Sequence, residues 1–180
     1  MSLPHAILTA LIEKPSSGLE LTRRIDKSIR YFWPATHQQV YRELGRLEEA
    51  GLIRALPSSG PRKEYEVLPA GREELVAWVA RPEDPKPLRS SLLLRLRAAA
   101  VVGSDGLAAE LERHRALHQA QLEEYLDIER RDFTPRSEAE KDRLQHLVLQ
   151  GGISLESHWV SWLDAALAEL ARPAPHDQPR

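Results

Sequence analysis

Cysteine is absent from the 180 residues, which excludes disulfides, thiolate metal sites and a cysteine nucleophile and agrees with a reducing compartment. No apolar run approaches the roughly 18 residues that a membrane span needs, and the N-terminus lacks the charged-then-apolar plan of a signal peptide. A cytoplasmic protein without membrane partners is expected. Catalytic plans are missing as well. Ser and His occur, but in no Ser-His-Asp arrangement, and no phosphate loop or paired-acid motif stands in a suitable context, so neither an enzyme nor a cofactor is expected. A strong charge of one sign is also lacking: 25 Lys+Arg stand against 27 Asp+Glu, a net of −2. That balance is uneven along the chain. Residues 1–82 hold 12 basic and 10 acidic side chains and the remainder 13 and 17, so a mildly basic first half precedes an acidic second half. A composition of 42% hydrophobic and 29% charged residues is that of an ordinary globular chain.

In the first half, Ile7, Leu8, Leu11 and Ile12 form the stripe of a short buried helix from Pro4 to Glu13, stopped by Pro15. Ser17 and Glu20 then read as an S-x-x-E capping box for a second helix ending near Ser28 to Arg30. Tyr31, Phe32, Trp33 and Pro34 anchor the following turn. Thr36 and Gln39 repeat the box as T-x-x-Q, opening a third helix whose Val40, Leu44 and Leu47 face inward and whose C′ residue is Gly51. Ile53 to Leu56 and Arg62 to Val67 read as strands around a Ser-Ser-Gly-Pro tip. Pro69 begins a fourth helix to about Val79, with Leu75, Val76 and Val79 as its stripe. Two helices joined by a short turn, the second polar at its start and followed by a hairpin, make a helix-turn-helix with a wing. The candidate DNA contacts are Thr36, Gln38, Gln39, Tyr41, Arg42 and Arg46 on the helix and Arg62, Lys63 and Tyr65 on the wing. Glutamine pairs bidentately with adenine and arginine with guanine, and the weak net charge points to a focused surface and not a broad basic face.

These residues resemble the PadR family of winged-helix transcriptional regulators. The resemblance is carried by Gly18, Trp33-Pro34, Tyr41, Leu44, Leu47, Glu48, Gly51-Leu52, Tyr65 and Gly71. Two positions depart from the family pattern: Leu19 stands where an aromatic is frequent, and Leu68 where a threonine usually caps the fourth helix.

Arg81 to Leu88, with three prolines, reads as an extended linker. Ser91 to Val102 is a short helix, and a long helix follows from Leu107 to about Arg131, with Leu107, Leu111, His114, His118, Gln121 or Leu122 and Tyr125 at near-heptad spacing. Ser137-x-x-Glu140 opens the last helix, with a stripe of Leu144, Leu147, Val148, Leu155, Trp159, Trp162 or Leu163, Ala166 and Leu170. Close helix approach or a kink is expected at Gly151-Gly152. The segment "ESHWVSWLDAALAELA" is similar to the tryptophan-containing last helix of PadR proteins whose helical C-terminal domain dimerises.

The fold expected is therefore mainly α: an α+β winged helix-turn-helix with a small hairpin wing over 1–82, an all-α dimerisation domain over 83–172, and a disordered tail over 173–180. Leu107, Leu111, Leu122, Leu155, Trp159 and Leu163 are the candidate dimer residues. Trp33, His158, Trp159 and Trp162 are the candidate wall of a pocket for a small aromatic effector, resting mainly on the resemblance. Glu110, His114 and His118 share a helix face at a spacing that suits a divalent metal, but no third ligand on another element accompanies them, so no metal site is read. At a dimer seam the same histidines would make assembly pH-sensitive. The function expected is a homodimeric repressor of a pseudo-palindromic site on double-stranded DNA. The alternative is a helical interaction or scaffold protein whose winged helix binds a protein partner.

Overall fold

The computed structural model of the protein describes residues 3–28, 35–57 and 63–172, in two compact units, Met1–Lys86 and Pro87–Arg180. The first unit is built of α1 (Leu3–Glu13), β1 (Ser16–Ser17), α2 (Gly18–Ser28), α3 (His37–Glu49), β2 (Ile53–Leu56), β3 (Glu64–Val67) and α4 (Pro69–Ala80). Ile7, Leu8 and Leu11 of α1 are fully buried against Leu21 and Ile25 of α2, Val40, Leu44 and Leu47 of α3, and Ile53 of β2. Each such side chain stabilises the unit by roughly 1.5–3 kcal/mol relative to an exposed position.

The helix ends follow local chemistry. At α3 the capping box is complete: the Gln39 N–H donates to Thr36 Oγ1 at 3.2 Å and the Thr36 N–H donates to Gln39 Oε1 at 2.8 Å. Its C-terminus is a Schellman turn, in which Leu52 N–H reaches the Leu47 carbonyl and Gly51 N–H the Glu48 carbonyl, both at 3.0 Å, with Gly51 at φ +69°. At α2 only half of the expected box forms. Ser17 Oγ accepts from the Glu20 N–H at 3.3 Å, while the Glu20 carboxylate pairs with Lys14 Nζ at 2.8 Å.

Ser16–Ser17 adds a strand that the sequence pattern does not announce, because two serines carry no alternation to read. It pairs with Tyr65 and Glu64, making a three-stranded antiparallel sheet in the order β1-β3-β2. The β2–β3 register sets Ile53 opposite Val67 and Ala55 opposite Tyr65, so Tyr65 and Val67 lie against the core. Arg54 and Glu66 form a cross-strand ion pair.

The expected stripe of α4 is corrected. Leu75 packs on the core, but Val76 and Val79 are 72% and 75% exposed. The covered face runs through Gly71, Leu75 and Trp78, spaced i, i+4, i+7, with Trp78 stacked on His5 at 4.4 Å. A Cβ on Gly71 would meet the Leu52 carbonyl oxygen at 2.3 Å, so this close approach requires glycine. Leu68 supplies no side-chain cap, as its departure from the family pattern implies, and Pro69 occupies the first turn.

Residues 82–90 form neither helix nor strand, in keeping with their prolines. The second unit contains α5 (Ser91–Val102), α6 (Leu107–Asp132) and α7 (Glu140–Leu170). Helices α6 and α7 form an antiparallel hairpin, pinned by Arg115–Asp164, His118–Glu156 at 2.6 Å and Glu129–His146 at 2.6 Å. Ser137 does not cap α7: its hydroxyl donates to Asp142 and accepts from the Ala139 N–H, and Ala139 holds the N-cap position. Among the described residues no helix is long and apolar enough to cross a membrane.

Candidate nucleic-acid interface

Helix α3 separates its chemistry by face. At about 100° per residue, Val40, Leu44 and Leu47 cluster on the buried side, while Gln38, Arg42, Gly45, Arg46 and Glu49 lie on the opposite arc with Tyr41 at its edge. Gln38 and Arg42 are exposed. Neither makes a hydrogen bond or ion pair among the described residues, so their polar groups are available to another molecule. Arg46 is held only at 3.5 Å by Glu43, and Lys63, at the wing, only at 3.9 Å by Glu48, with both cationic side chains about two-thirds exposed at 63% and 66%. Exposed pairs of this kind contribute about 0–1 kcal/mol, so exchanging a carboxylate for a phosphate costs little.

The remaining candidates divide. Thr36 and Gln39 spend their side-chain oxygens on the capping box, which orients the helix start and leaves the Gln39 amide N–H₂ uncommitted among the described residues. Tyr41 is 49% exposed, and its ring lies over Gly18, where a Cβ would meet Tyr41 Cε1 at 2.5 Å. Glycine at the start of α2 is therefore what lets this aromatic lock α2 to α3. Tyr65 is half-buried and packs on the core, so it supports the wing and is a poor surface contact. Trp33 and Arg62 lie outside the described residues. Sequence reading passed over Arg23, exposed on α2 and without an ion-pair partner among the described residues. It also passed over Gly45, a helix-interior glycine on the exposed arc.

In the second unit the heptad seam of α6 is covered within the chain. Leu107, Leu111 and Leu163 are 9%, 0% and 0% exposed and form a cluster with Leu92 of α5. Those three candidate dimer residues have no surface left to offer a partner. Trp159 stacks on His118 at 5.4 Å, and Leu122 is half-buried. Leu155, by contrast, is 55% exposed, beside Leu144, Leu147 and Val148, all more than half exposed. Two seven-residue patterns thus run along α7. Leu149, Gly152, Glu156, Trp159 and Leu163 face α6, with Tyr125 seated over Gly152. Leu144, Val148, Gly151, Leu155, His158 and Trp162 form the other. His158, Trp159 and Trp162 lie together, with edge contacts at 6.3 Å and 5.6 Å.

Glu110 is engaged by Arg113 at 2.9 Å, Arg95 at 3.0 Å and His114 at 3.4 Å, and the Arg113 hydrogen bond foremost, with the charges of Arg113 and Arg95, holds its carboxyl at about 2, far below its ordinary value of 4.5. No group of three or more metal-ligating side chains occurs among the described residues.

Residues 7–77 match the Transcriptional regulator PadR-like family, and residues 88–171 match the Virulence activator alpha C-term family. A probable transcriptional regulator of Mycobacterium tuberculosis is 41% identical over 185 residues, covering 94% of this chain and 98% of the relative. The chain belongs to the PadR-like family of transcriptional regulators. Among proteins of known structure, the Vibrio cholerae virulence activator AphA superposes with a TM-score of 0.81 at 31% identity, over 94% of this chain and 98% of its own. The negative transcriptional regulator PadR of Bacillus subtilis is 26% identical over 93% of this chain and 97% of its own. Its crystal structure with p-coumaric acid gives a TM-score of 0.81 at 25% identity, over 96% and 100% of the two chains, and it has also been crystallised with operator DNA. The PadR-like winged helix followed by a helical C-terminal unit is the architecture found here.

Proposed function

We propose that this PadR-like regulator is a homodimeric repressor that places one α3 in each of two successive major grooves of a pseudo-palindromic operator. The observation that carries the reading is the exposed arc of α3, where Gln38 and an uncommitted Arg42 project from a helix whose opposite face is locked into the core. Glutamine and arginine are the side chains whose geometry matches adenine and guanine edges, and Arg46, Lys63 and Arg23 supply charge for flanking phosphates. Half-sites should lie one helical turn apart, or a multiple of it. Sign of regulation follows the negative regulator among the relatives.

Dimerisation is assigned to the exposed α7 face of Leu144, Leu147, Val148, Gly151, Leu155 and His158, with Trp162 at its edge packed on the chain's own cluster. Four large apolar residues exposed on α7, with Val148 and Leu155 seven apart, are costly in water and suit a second helix. A planar aromatic acid is the proposed effector, supported by the p-coumaric acid complex of the Bacillus relative and by the aromatic cluster of His158, Trp159 and Trp162.

The test is binding to DNA from the protein's own upstream region. Affinity should fall by roughly 10³-fold or more between 50 and 200 mM salt, and Arg42→Ala should weaken operator binding by about 1–3 kcal/mol while leaving the dimer intact. Absence of any salt-sensitive complex, with or without an aromatic acid, would sink the proposal.

A further inference from the structure

Glycine inside a helix is about 1 kcal/mol less favourable than alanine, so each one calls for a reason. Gly51, Gly103 and Gly106 have positive φ angles of +69°, +97° and +76°. Gly18, Gly71 and Gly152 lie where a Cβ would strike a neighbour at 2.5, 2.3 and 2.9 Å. Gly45 has neither reason. It is the ninth of the thirteen residues of α3, its φ is not positive, and an added Cβ would meet nothing within 4 Å. Its helical neighbours at i−7, i−4, i−3 and i+4 are Gln38, Tyr41, Arg42 and Glu49, all exposed, so it lies half-buried among them on the exposed arc. Among the described glycines Gly151 alone shares this lack of an internal reason, and it lies at the centre of the uncovered α7 pattern.

We infer that Gly45 is the point of closest approach between α3 and the duplex, and that its missing side chain lets the helix seat side-on, deep in the major groove. This rests on the DNA-binding role proposed above. Gln38 and Gly45 are about 10 Å apart along the axis at 1.5 Å per residue, so a helix that touches DNA at both must lie along the groove and not enter end-on. A side chain at position 45 would hold the axis off the base edges and pull Gln38 and Arg42 out of hydrogen-bonding range, while phosphate contacts by long flexible side chains would persist. Glu49, one turn further on the same arc, sets the limit of the contact by its charge. Gly45 is therefore a positioning residue for sequence readout.

The experiment compares wild-type protein, Gly45→Ala, Gly45→Leu and Arg42→Ala for binding to the operator fragment and to a scrambled duplex of equal length, with thermal melting of each protein. Gly45→Ala should melt a few degrees higher, lose about tenfold in operator affinity and keep its affinity for the scrambled duplex. Gly45→Leu should lose on the order of a hundredfold for the operator alone. A Gly45→Ala protein that melts higher and binds the operator as tightly as wild type overturns the inference while the DNA-binding role stands. Wild-type protein that binds neither duplex overturns both.

Discussion

The two units of the chain are of similar length but differ in how they spend their apolar residues. Met1–Lys86 gathers ten buried apolar side chains into one cluster, and Tyr41, Val76 and Val79 are its large apolar residues left exposed among those described. Pro87–Arg180 buries Leu92, Leu107, Leu111, Tyr125, Leu149 and Leu163, and exposes ten large apolar residues, from Leu88 through Leu155. Three layers (helix, helix pair and sheet) can enclose a core, whereas a hairpin with one short helix against its end cannot. The first unit encloses its core within the chain; the second gathers its buried leucine cluster at one end of the hairpin and has a second apolar pattern facing outward. The proposed reading of two half-sites uses this division, because a self-contained reading head can be paired through a surface made elsewhere.

The strongest challenge to this contrast is Leu163→Ala. With so few buried side chains in the second unit, loss of a fully buried leucine should cost about 2–5 kcal/mol, read by urea unfolding followed by circular dichroism. A loss below about 1 kcal/mol would mean that polar contacts and not the apolar cluster hold the hairpin. Next comes Leu155→Glu, which touches the outward pattern without opening the core. Helicity should be retained, sedimentation should show a monomer, and operator affinity should fall on the order of 10²-fold through lost avidity. A persistent dimer would move the interface off this face.

The smallest expected effect concerns Glu110, whose carboxyl titrates near 2 in the folded chain because Arg113, Arg95 and His114 surround it. A depressed carboxylate pKa stabilises the fold above the unfolded value of 4.5, and this contribution is lost as pH falls from there towards 2. Glu110→Gln should therefore flatten the decline of melting temperature between those limits. Equal slopes for variant and wild type would show that the arginines do not hold the carboxylate in solution.

Much of the first unit is legible in the chain because its signals are local. Thr36 and Gln39 cap a helix through atoms three residues apart, and Gly51 and Leu52 end it through bonds to the Glu48 and Leu47 carbonyls. The strand at Ser16–Ser17 is not legible, since its pairing with Tyr65 and Glu64 spans almost fifty residues and leaves no periodicity behind. The face of α4 was misread for a related reason. Val76 and Val79 are more apolar than Gly71, yet burial there is decided by how closely the Leu52 carbonyl approaches, which only glycine permits. On α3 the exposed polar residues could be read directly, while the significance of Gly45 emerged only once the space around it was known to be empty.

The sequence by itself determined the order of the helices and of β2 and β3, the caps of α3, the family and the polar face of α3, because each depends on residues within a few positions of one another or on a pattern shared along the chain. Only the tertiary structure decided which apolar stripe is already covered. Leu107 and Leu111 stand four apart just as Leu144 and Val148 do, and hydrophobicity alone cannot tell the two pairs apart. The antiparallel return of α7 along α6 removes the first pair from water and leaves the second exposed.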